Sequence, residues 1–261
     1  MELRVDGKRV FAGDGGRPFK PEQPTVLFIH GAGFDRTVWT LQARYFAHHG
    51  RNVVALDLPG HGRSEGPPLP SIAELAAWVA RVIAGLGVER AALVGHSMGG
   101  LVALEAAASY PERVWALALL GVSESMRVHP ALLAAATARE HSAAELVVDW
   151  GLGRRAHLGG YRAPGVWMTG AGLRVIEGNI GALGIDLAAC NAYAGAPAAA
   201  DKVRCPTLIL AGADDRMTPL AGANALVKRI NGARLVAIPA SGHMMMIEQP
   251  DATLVALAQV V

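Results

Sequence analysis

One serine in the sequence has the surroundings of an enzymatic nucleophile. The run Gly95-His-Ser-Met-Gly99 fits the pattern G-x-S-x-G, and Gly100 follows it. An apolar run at residues 91–95 precedes this serine, Ser97, and an Ala- and Leu-rich run at 98–109 follows it. A serine on so tight a strand-to-helix turn is held in a strained backbone conformation beside the positive helix end. The pattern also fits a serine that caps an ordinary turn, but the flanking strand and helix favour a nucleophile.

Two later segments supply the partners that such a serine needs. A serine hydroxyl is a weak nucleophile at neutral pH, so it requires a base and an acid that orients the base. One apolar run ends just before Asp214 and Asp215, and another ends just before His243. Because the carboxyl ends of parallel strands meet at one edge of a sheet, these groups are predicted to lie near Ser97. The resulting chain order is Ser…Asp…His.

Continuous apolar runs, separated by helical patterns, are predicted to position these residues. Runs of this kind, without polar alternation, are typical of parallel strands buried on both faces. They cover residues 25–30, 52–58, 91–96, 114–122, 207–212 and 234–239. Helical patterns cover residues 71–86, 98–109 and 220–230. The alternation predicts right-handed βαβ units in a parallel sheet, and residues 3–11 are predicted to add an antiparallel hairpin at one edge.

The segment 124–200 interrupts this alternation. It has no convincing strand and mixes helical pieces, such as residues 130–146, with Gly-rich loops. We interpret it as a helical cap inserted into an α/β core made of residues 1–123 and 201–261. The whole chain is predicted to be one domain.

The composition narrows the classes of protein that the chain can represent. Of its 261 residues, 52% are hydrophobic and 18% are charged, which predicts a sizeable core. The net charge of +2 gives no reason to expect nucleic acid or a membrane surface as a partner. Two cysteines, Cys190 and Cys205, favour free thiols over a disulfide framework, and the histidines show no metal-ligand spacing.

The start of the chain and its hydropathy suggest a location. The first residues are polar and do not form a signal peptide, and no apolar run approaches the length of a membrane span. We therefore predict a cytoplasmic protein that acts on a small molecule, without a cofactor or metal. The oligomeric state is left open.

Motifs along the chain make its resemblance to one family explicit. They are His30-Gly-Ala-Gly33 with Trp39, Asp57-Leu-Pro-Gly-His-Gly-Arg-Ser64, the serine motif, Gly212-Ala-Asp-Asp-Arg-Met-Thr-Pro219 and Gly242-His243. The chain resembles the α/β-hydrolase superfamily, in the group of serine esterases, C–C hydrolases and cofactor-free haloperoxidases. The resemblance extends over nearly the whole chain apart from residues 124–200. It implies the α/β-hydrolase fold, a mostly parallel central sheet flanked by helices with a helical cap insertion.

The resemblance also implies roles for the acidic loop and for two other polar residues. The family pattern G-x-x-D-x-x-x-P places the acid at Asp215 and leaves Asp214 to structure the loop. A minority of relatives keep the acid after the preceding strand, where Glu124 is the nearby carboxylate. Asp57 and His61 are expected to belong to the scaffold.

An oxyanion intermediate requires at least two N–H donors. The backbone of Met98, directly after the nucleophile, supplies one, and the resemblance implies that Ala32 supplies the second. Phe34 is a weaker candidate donor. His30 is expected to hold this loop by a hydrogen bond.

The expected reaction is hydrolysis of small to medium hydrophobic carboxylic esters through an acyl-enzyme on Ser97. The candidate substrate contacts are Phe34, Trp150, Trp167, Met168 and Met244. A C–C bond hydrolase, lactonase or thioesterase would use the same triad, and a ligand-binding receptor on the same fold can retain it. Epoxide hydrolases and haloalkane dehalogenases are disfavoured because they carry Asp at the position of Ser97.

Overall fold

A mostly parallel sheet forms the centre of the protein, seen in a computed structural model that describes residues 1–157 and 167–261. Its strands are β1 (Glu2–Val5), β2 (Lys8–Gly13), β3 (Thr25–Ile29), β4 (Asn52–Leu56), β5 (Ala91–His96), β6 (Val114–Leu120), β7 (Thr207–Gly212) and β8 (Arg234–Ile238). Their order across the sheet is β1-β2-β4-β3-β5-β6-β7-β8. Strands β3 to β8 run parallel, whereas β1 and β2 form an antiparallel hairpin that joins the sheet through β4. Each run predicted as a strand is a strand, and the edge hairpin is present.

Burial on both faces explains the continuous apolar strands. In β3, Leu27 and Ile29 pack into one core, and Val26 and Phe28 pack into the other. Successive strand side chains point to opposite faces, so a strand covered on both sides needs apolar residues at every position.

Helices cover both faces of the sheet. They are α1 (Thr40–His48), α2 (Ile72–Gly85), α3 (Met98–Ser109), α4 (Pro130–Thr137), α5 (His141–Gly151), α6 (Arg154–His157), α7 (Met168–Gly178), α8 (Ile180–Ala192), α9 (Ala196–Ala200), α10 (Leu220–Arg229), α11 (Met245–Glu248) and α12 (Pro250–Leu257). Helix α2 begins with the predicted cap, in which Ser71 Oγ accepts the N–H of Glu74 at 3.2 Å. Apolar residues of α2, α3 and α10 join the core on one face, and those of α1 and α12 join the other.

Helices α4 to α9 occupy the segment 124–200, whose described residues contain no strand. The helix predicted over 130–146 is two helices, because the chain turns between α4 and α5 with Arg139 at φ +59°. Helix α4 packs against α5 and α8. The assignment of this segment as a cap over the site stays a prediction.

Both cysteines are free thiols. Across the two described ranges, no helix is long and apolar enough to cross a bilayer. The cytoplasmic location stays a prediction.

Candidate active site

Ser97 lies on a sharp turn between β5 and α3. Its backbone has φ +54° and ψ −119°, a strained conformation for a residue with a side chain. The Ser97 N–H donates to the carbonyl of Leu120 at 2.8 Å, which fixes the turn against β6. A Cβ on Gly95 would lie 2.2 Å from the carbonyl oxygen of Gly99, so only glycine allows strand and helix to meet this closely. The turn is the geometry expected for an exposed serine nucleophile.

His243 and Asp215 form a buried pair after the ends of β8 and β7. Nδ1 of His243 lies 2.8 Å from Oδ2 of Asp215. Oδ1 of Asp215 accepts the N–H groups of Met217 and Thr218 at 2.8 and 2.9 Å, and the Thr218 hydroxyl donates to Oδ2. Burial alone would raise the pKa of Asp215, but the charge and hydrogen bond of His243, with the Thr218 bonds, lower it to about 2. Asp214, beside it, is exposed and makes no such contact among the described residues.

The second ring nitrogen of His243 is the one that Asp215 does not contact. Nε2 is buried and makes no hydrogen bond to any part of the chain that the structure describes. Ser97 and His243 line the same cavity, although no hydrogen bond joins them. A Cβ on Gly121 would lie 2.9 Å from the His243 ring, so this glycine makes room for the imidazole.

The backbone around His243 is held from several sides. The His96 ring Nε2 donates to the His243 carbonyl at 3.0 Å, and the His243 N–H donates to the carbonyl of Gly151 at 2.7 Å. Glu248 accepts the N–H groups on both sides of His243, each at 3.1 Å, and that of Gly153 at 2.8 Å. Glu248 was not predicted as part of the site from the sequence, where the signal available for it is its place five residues after His243. His96 does not line the main cavity beside Ser97, but it lines a smaller one that also reaches Ser97.

The two residues predicted as oxyanion donors lie on either side of the nucleophile turn: Ala32 lines the cavity, and Met98 is the buried first residue of helix α3. Neither the Ala32 nor the Met98 N–H bonds to any of the described residues. A Cβ on Gly31 would lie 3.2 Å from Cβ of Ser97, so this loop packs directly on the nucleophile turn. The N–H of Phe34 instead donates to the Gly31 carbonyl at 3.2 Å, which leaves Ala32 as the candidate donor from this loop.

The cavity beside Ser97 has a volume of about 400 Å³ and is mainly apolar. Trp150 lines it, whereas Phe34 and Met244 line a smaller cavity of about 30 Å³ that also reaches Ser97. Trp167 is 72% exposed and Met168 is buried, and neither lines these two cavities. Several further residues line the main cavity and were not predicted from the sequence as substrate contacts: Arg127, Val128, His129, Leu187, Cys190, Arg216, Met217 and Thr218.

The fold and these motifs agree with the match to a protein family. Residues 24–250 match the family model described as the alpha/beta hydrolase fold. The chain belongs to this family and is a hydrolase of the alpha/beta type.

Relatives matched over most of their length carry hydrolase names. The chain is 31% identical to a putative carbamate hydrolase, RutD, of Klebsiella pneumoniae, covering 88% of each chain. It is 30% identical to a pimeloyl-[acyl-carrier protein] methyl ester esterase of Aromatoleum aromaticum, covering 92% of this chain and 98% of that protein. The enol-lactonase structure from Burkholderia xenovorans LB400 superposes with a TM-score of 0.87 at 23% identity, covering 99% and 98% of the two chains. That likeness establishes the fold.

A shorter stretch is more similar to a longer protein. Over 119 residues the chain is 46% identical to the dihydrolipoyllysine-residue acetyltransferase component of the acetoin cleaving system of Cupriavidus necator. This stretch covers 44% of the chain and spans only 30% of that relative.

Proposed function

We propose that the chain is a serine hydrolase that cleaves small to medium hydrophobic carboxylic esters through an acyl-enzyme on Ser97. The observation that carries the proposal is the strained Ser97 turn, which opens into the same cavity as His243, itself paired with buried Asp215. Each group has the role that acyl transfer requires.

Acylation begins when His243 Nε2 takes the Ser97 proton as the Ser97 oxygen bonds to the substrate carbonyl carbon. Asp215 keeps the opposite ring nitrogen protonated and stabilises the imidazolium that forms. The N–H groups of Ala32 and Met98 bind the oxyanion of the tetrahedral intermediate. His243 then returns the proton to the departing alcohol, and the C–O bond to that alcohol breaks.

Deacylation repeats these steps with water. His243 takes a proton from water as the water oxygen attacks the acyl carbon, and it gives that proton back to Ser97 as the carboxylic acid leaves. The same N–H groups bind the second oxyanion. The serine and the imidazole are regenerated without any other group.

The cavity walls support an apolar substrate next to the scissile bond. Met126, Leu132 and Trp150 line the cavity together with Leu187 and Met217. Flexible thioethers adapt to ligands of different shape, and the aromatic ring supplies a large apolar contact. A volume of about 400 Å³ suits small to medium acyl or alkyl groups.

Hydrolysis of p-nitrophenyl esters of graded chain length tests this proposal. We expect turnover of short and medium chains, and loss of about 10⁶ in kcat in Ser97→Ala, because no other group replaces the nucleophile. Ser109→Ala is the matched control, since Ser109 is an exposed serine at the end of the same helix. Retention of more than roughly a thousandth of the wild-type rate by Ser97→Ala would overturn the assignment.

A further inference from the structure

A buried carboxylate on helix α8 reaches the loop that carries Ala32. Oδ2 of Asp186 accepts the N–H of Gly33 at 2.9 Å and lies 2.8 Å from Nε2 of His61. The side chains of Asp186 and His61 are each 1% exposed. Burying a carboxylate this deeply costs free energy unless the group is paired and hydrogen-bonded, and Asp186 is both.

The contacts of His61 require a charged ring. Its Nδ1 lies 3.1 Å from the carbonyl of Pro59, and its Nε2 faces Asp186. A carbonyl and a carboxylate only accept hydrogen bonds, so both ring nitrogens must carry protons. Burial alone would lower the pKa of His61, but the charge and hydrogen bond of Asp186 raise it above its ordinary value, with smaller contributions from Pro59 and Asp57.

Another histidine facing this pair stays neutral. The His30 ring lies 4.9 Å from that of His61, centroid to centroid. Burial and the His61 charge lower the pKa of His30 to about 3. The His30 Nε2 accepts the N–H of Leu58, so its proton is on Nδ1. The charged and titratable groups around His61 are therefore Asp186, Asp57 and a neutral His30.

These contacts fix the peptide groups on both sides of Ala32. Nδ1–H of His30 donates to the Gly31 carbonyl at 2.9 Å. The Ala32 N–H belongs to that same planar trans peptide and so points the opposite way. The next peptide is fixed by the bond from the Gly33 N–H to Asp186. The direction of the free Ala32 N–H is thus set from both ends.

We infer that Asp186, paired with protonated His61, is a positioning residue that couples docking of helix α8 to assembly of the oxyanion hole. This inference rests on the proposed function, because it assigns a role to Ala32 in that reaction. Helix α8 then holds part of the catalytic machinery in place in addition to covering it.

Substitution of Asp186 tests the coupling. Asp186→Ala removes the acceptor for Gly33 and the partner of His61, and we expect kcat for an ester to fall about 10²-fold with KM changed less than about threefold. Asp186→Asn retains an oxygen acceptor but loses the charge, so it should recover part of kcat. In the wild type, kcat should decline as pH rises through the raised His61 pKa, and in Asp186→Asn that decline should begin at lower pH.

Asn179→Ala is the matched control for undocking of the cap. Asn179 Oδ1 accepts the N–H of Gly62 at 2.9 Å, so it joins the start of α8 to the core without touching the Ala32 loop. We expect a lower stability and a kcat within about threefold of wild type for this variant. Equal kcat in folded Asp186→Ala and Asn179→Ala would overturn the positioning role.

Hydrogen exchange separates this inference from the ester assignment. The peptide that spans residues 31–34 should exchange faster in Asp186→Ala than in Asn179→Ala, whatever substrate the protein cleaves. Unchanged exchange in that peptide contradicts the inference. Lack of ester turnover by the wild type, with the expected change in exchange, contradicts only the proposed function.

A second, independent feature is the charge of the main cavity. Its described lining includes Arg127 and Arg216 and no carboxylate residue. Both arginines are exposed; Arg127 makes no ion pair with any described residue, and Arg216 donates to the backbone carbonyl of Asp149. Both guanidinium groups therefore lack a charged partner within the described chain. Arginine binds carboxylate oxygens through a fork of N–H donors.

We propose that Arg127 and Arg216 bind a carboxylate at the end of the substrate remote from the ester bond. This deepens the proposed function, since it names the substrate class as hemi-esters of dicarboxylic acids, with an apolar chain between the ester and the free carboxylate. The apolar wall then contacts the chain between the two ends of the substrate.

Paired substrates test this subsite. Monomethyl esters of dicarboxylic acids of graded length are compared with the neutral dimethyl esters of the same acids. We expect kcat/KM of the wild type to favour the best hemi-ester about tenfold, and this preference to vanish in Arg127→Gln/Arg216→Gln and to weaken in high salt. Arg174→Gln, an exposed arginine of helix α7, is the control.

A preference that survives in the double variant, or none in the wild type, would overturn the subsite. Calorimetry can also measure the affinity of Ser97→Ala for the same hemi-esters, with and without the two arginine substitutions. This comparison shows the contribution of the arginines to binding without any turnover. Arginine-dependent binding without hydrolysis by the wild type would contradict the proposed function and leave the subsite intact.

Discussion

The adjacent carboxylates Asp214 and Asp215 differ in their contacts and in their burial. Asp215 is buried and receives hydrogen bonds from His243 and Thr218, whereas Asp214 is exposed. Only Asp215 is placed to hold the imidazole in one tautomer. The two residues therefore form a matched pair for mutation.

Asp215→Asn should lower kcat about 10⁴-fold, because an amide can leave the imidazole in the wrong tautomer while the geometry persists. Asp214→Asn should change kcat less than about threefold. Steady-state ester hydrolysis measures both. A similar loss in the two variants would move the acid away from Asp215.

The same carboxylate should contribute to stability against acid. Its pKa is lowered from 3.8 to about 2 in the folded protein, so its contribution is present above the unfolded pKa and is lost as pH falls through the folded one. Between about pH 5 and pH 2, the wild type should lose about 2 kcal/mol more unfolding free energy than Asp215→Asn. Urea unfolding across this range measures the difference. Equal losses would show that the carboxylate is not stabilised in its ionised form.

At the scale of elements, the β5–α3 turn depends on the absence of side chains where strand and helix meet. A Cβ at any of three glycines here would clash with a neighbouring part of the protein: Gly95, Gly99 and Gly100. For Gly95 and Gly99 the obstruction is backbone, which has little room to move.

Gly95→Ala should destabilise the protein by roughly 3 kcal/mol or more, because its Cβ would meet the Gly99 carbonyl. Gly181→Ala, on helix α8, is the control, because a Cβ there would have no other atom within 4 Å. Since alanine favours helix more than glycine does, this variant should be more stable than the wild type by about 0.5–1 kcal/mol. Thermal or urea unfolding measures both. A small effect of Gly95→Ala would mean that the turn relaxes easily.

The elements predicted from sequence are those with a strong local pattern. The continuous apolar runs marked β3 to β8, and Ser71 with Glu74 marked the start of α2. The break between α4 and α5 has no such mark, because Arg139 adopts a positive φ where glycine or asparagine is the usual signal. The sequence of residues 130–146 therefore predicts one helix where the structure has two.

At the scale of the whole molecule, the core and the segment 124–200 meet through buried carboxylates. Asp186 on α8 contacts the Ala32 loop, and Glu248 on α11 binds Gly153 as well as the backbone around His243. The Ala32 loop and the His243 loop are thus both joined to the segment 124–200 by buried side chains. Movement of that segment would disturb the Ala32 loop and the His243 loop together.

Such long-range contacts are what the sequence could not reveal. Ser97, Asp215 and His243 each follow a strand end, so the order of the elements was enough to predict that they lie together. Asp186 and Gly33 lie 153 positions apart, and no local pattern connects them. The exposed side chain of Trp167 and the buried one of Met168 likewise depend on how the helices pack, which composition does not determine.

The most direct test of the central claim is stoichiometric labelling with a fluorophosphonate probe, followed by peptide mapping, while ester hydrolysis is measured in parallel. We predict one label per chain on Ser97, loss of activity in proportion to labelling, and no label in Ser97→Ala. An active protein that is labelled elsewhere, or that keeps its ester hydrolysis when Ser97 is fully modified, would contradict the account.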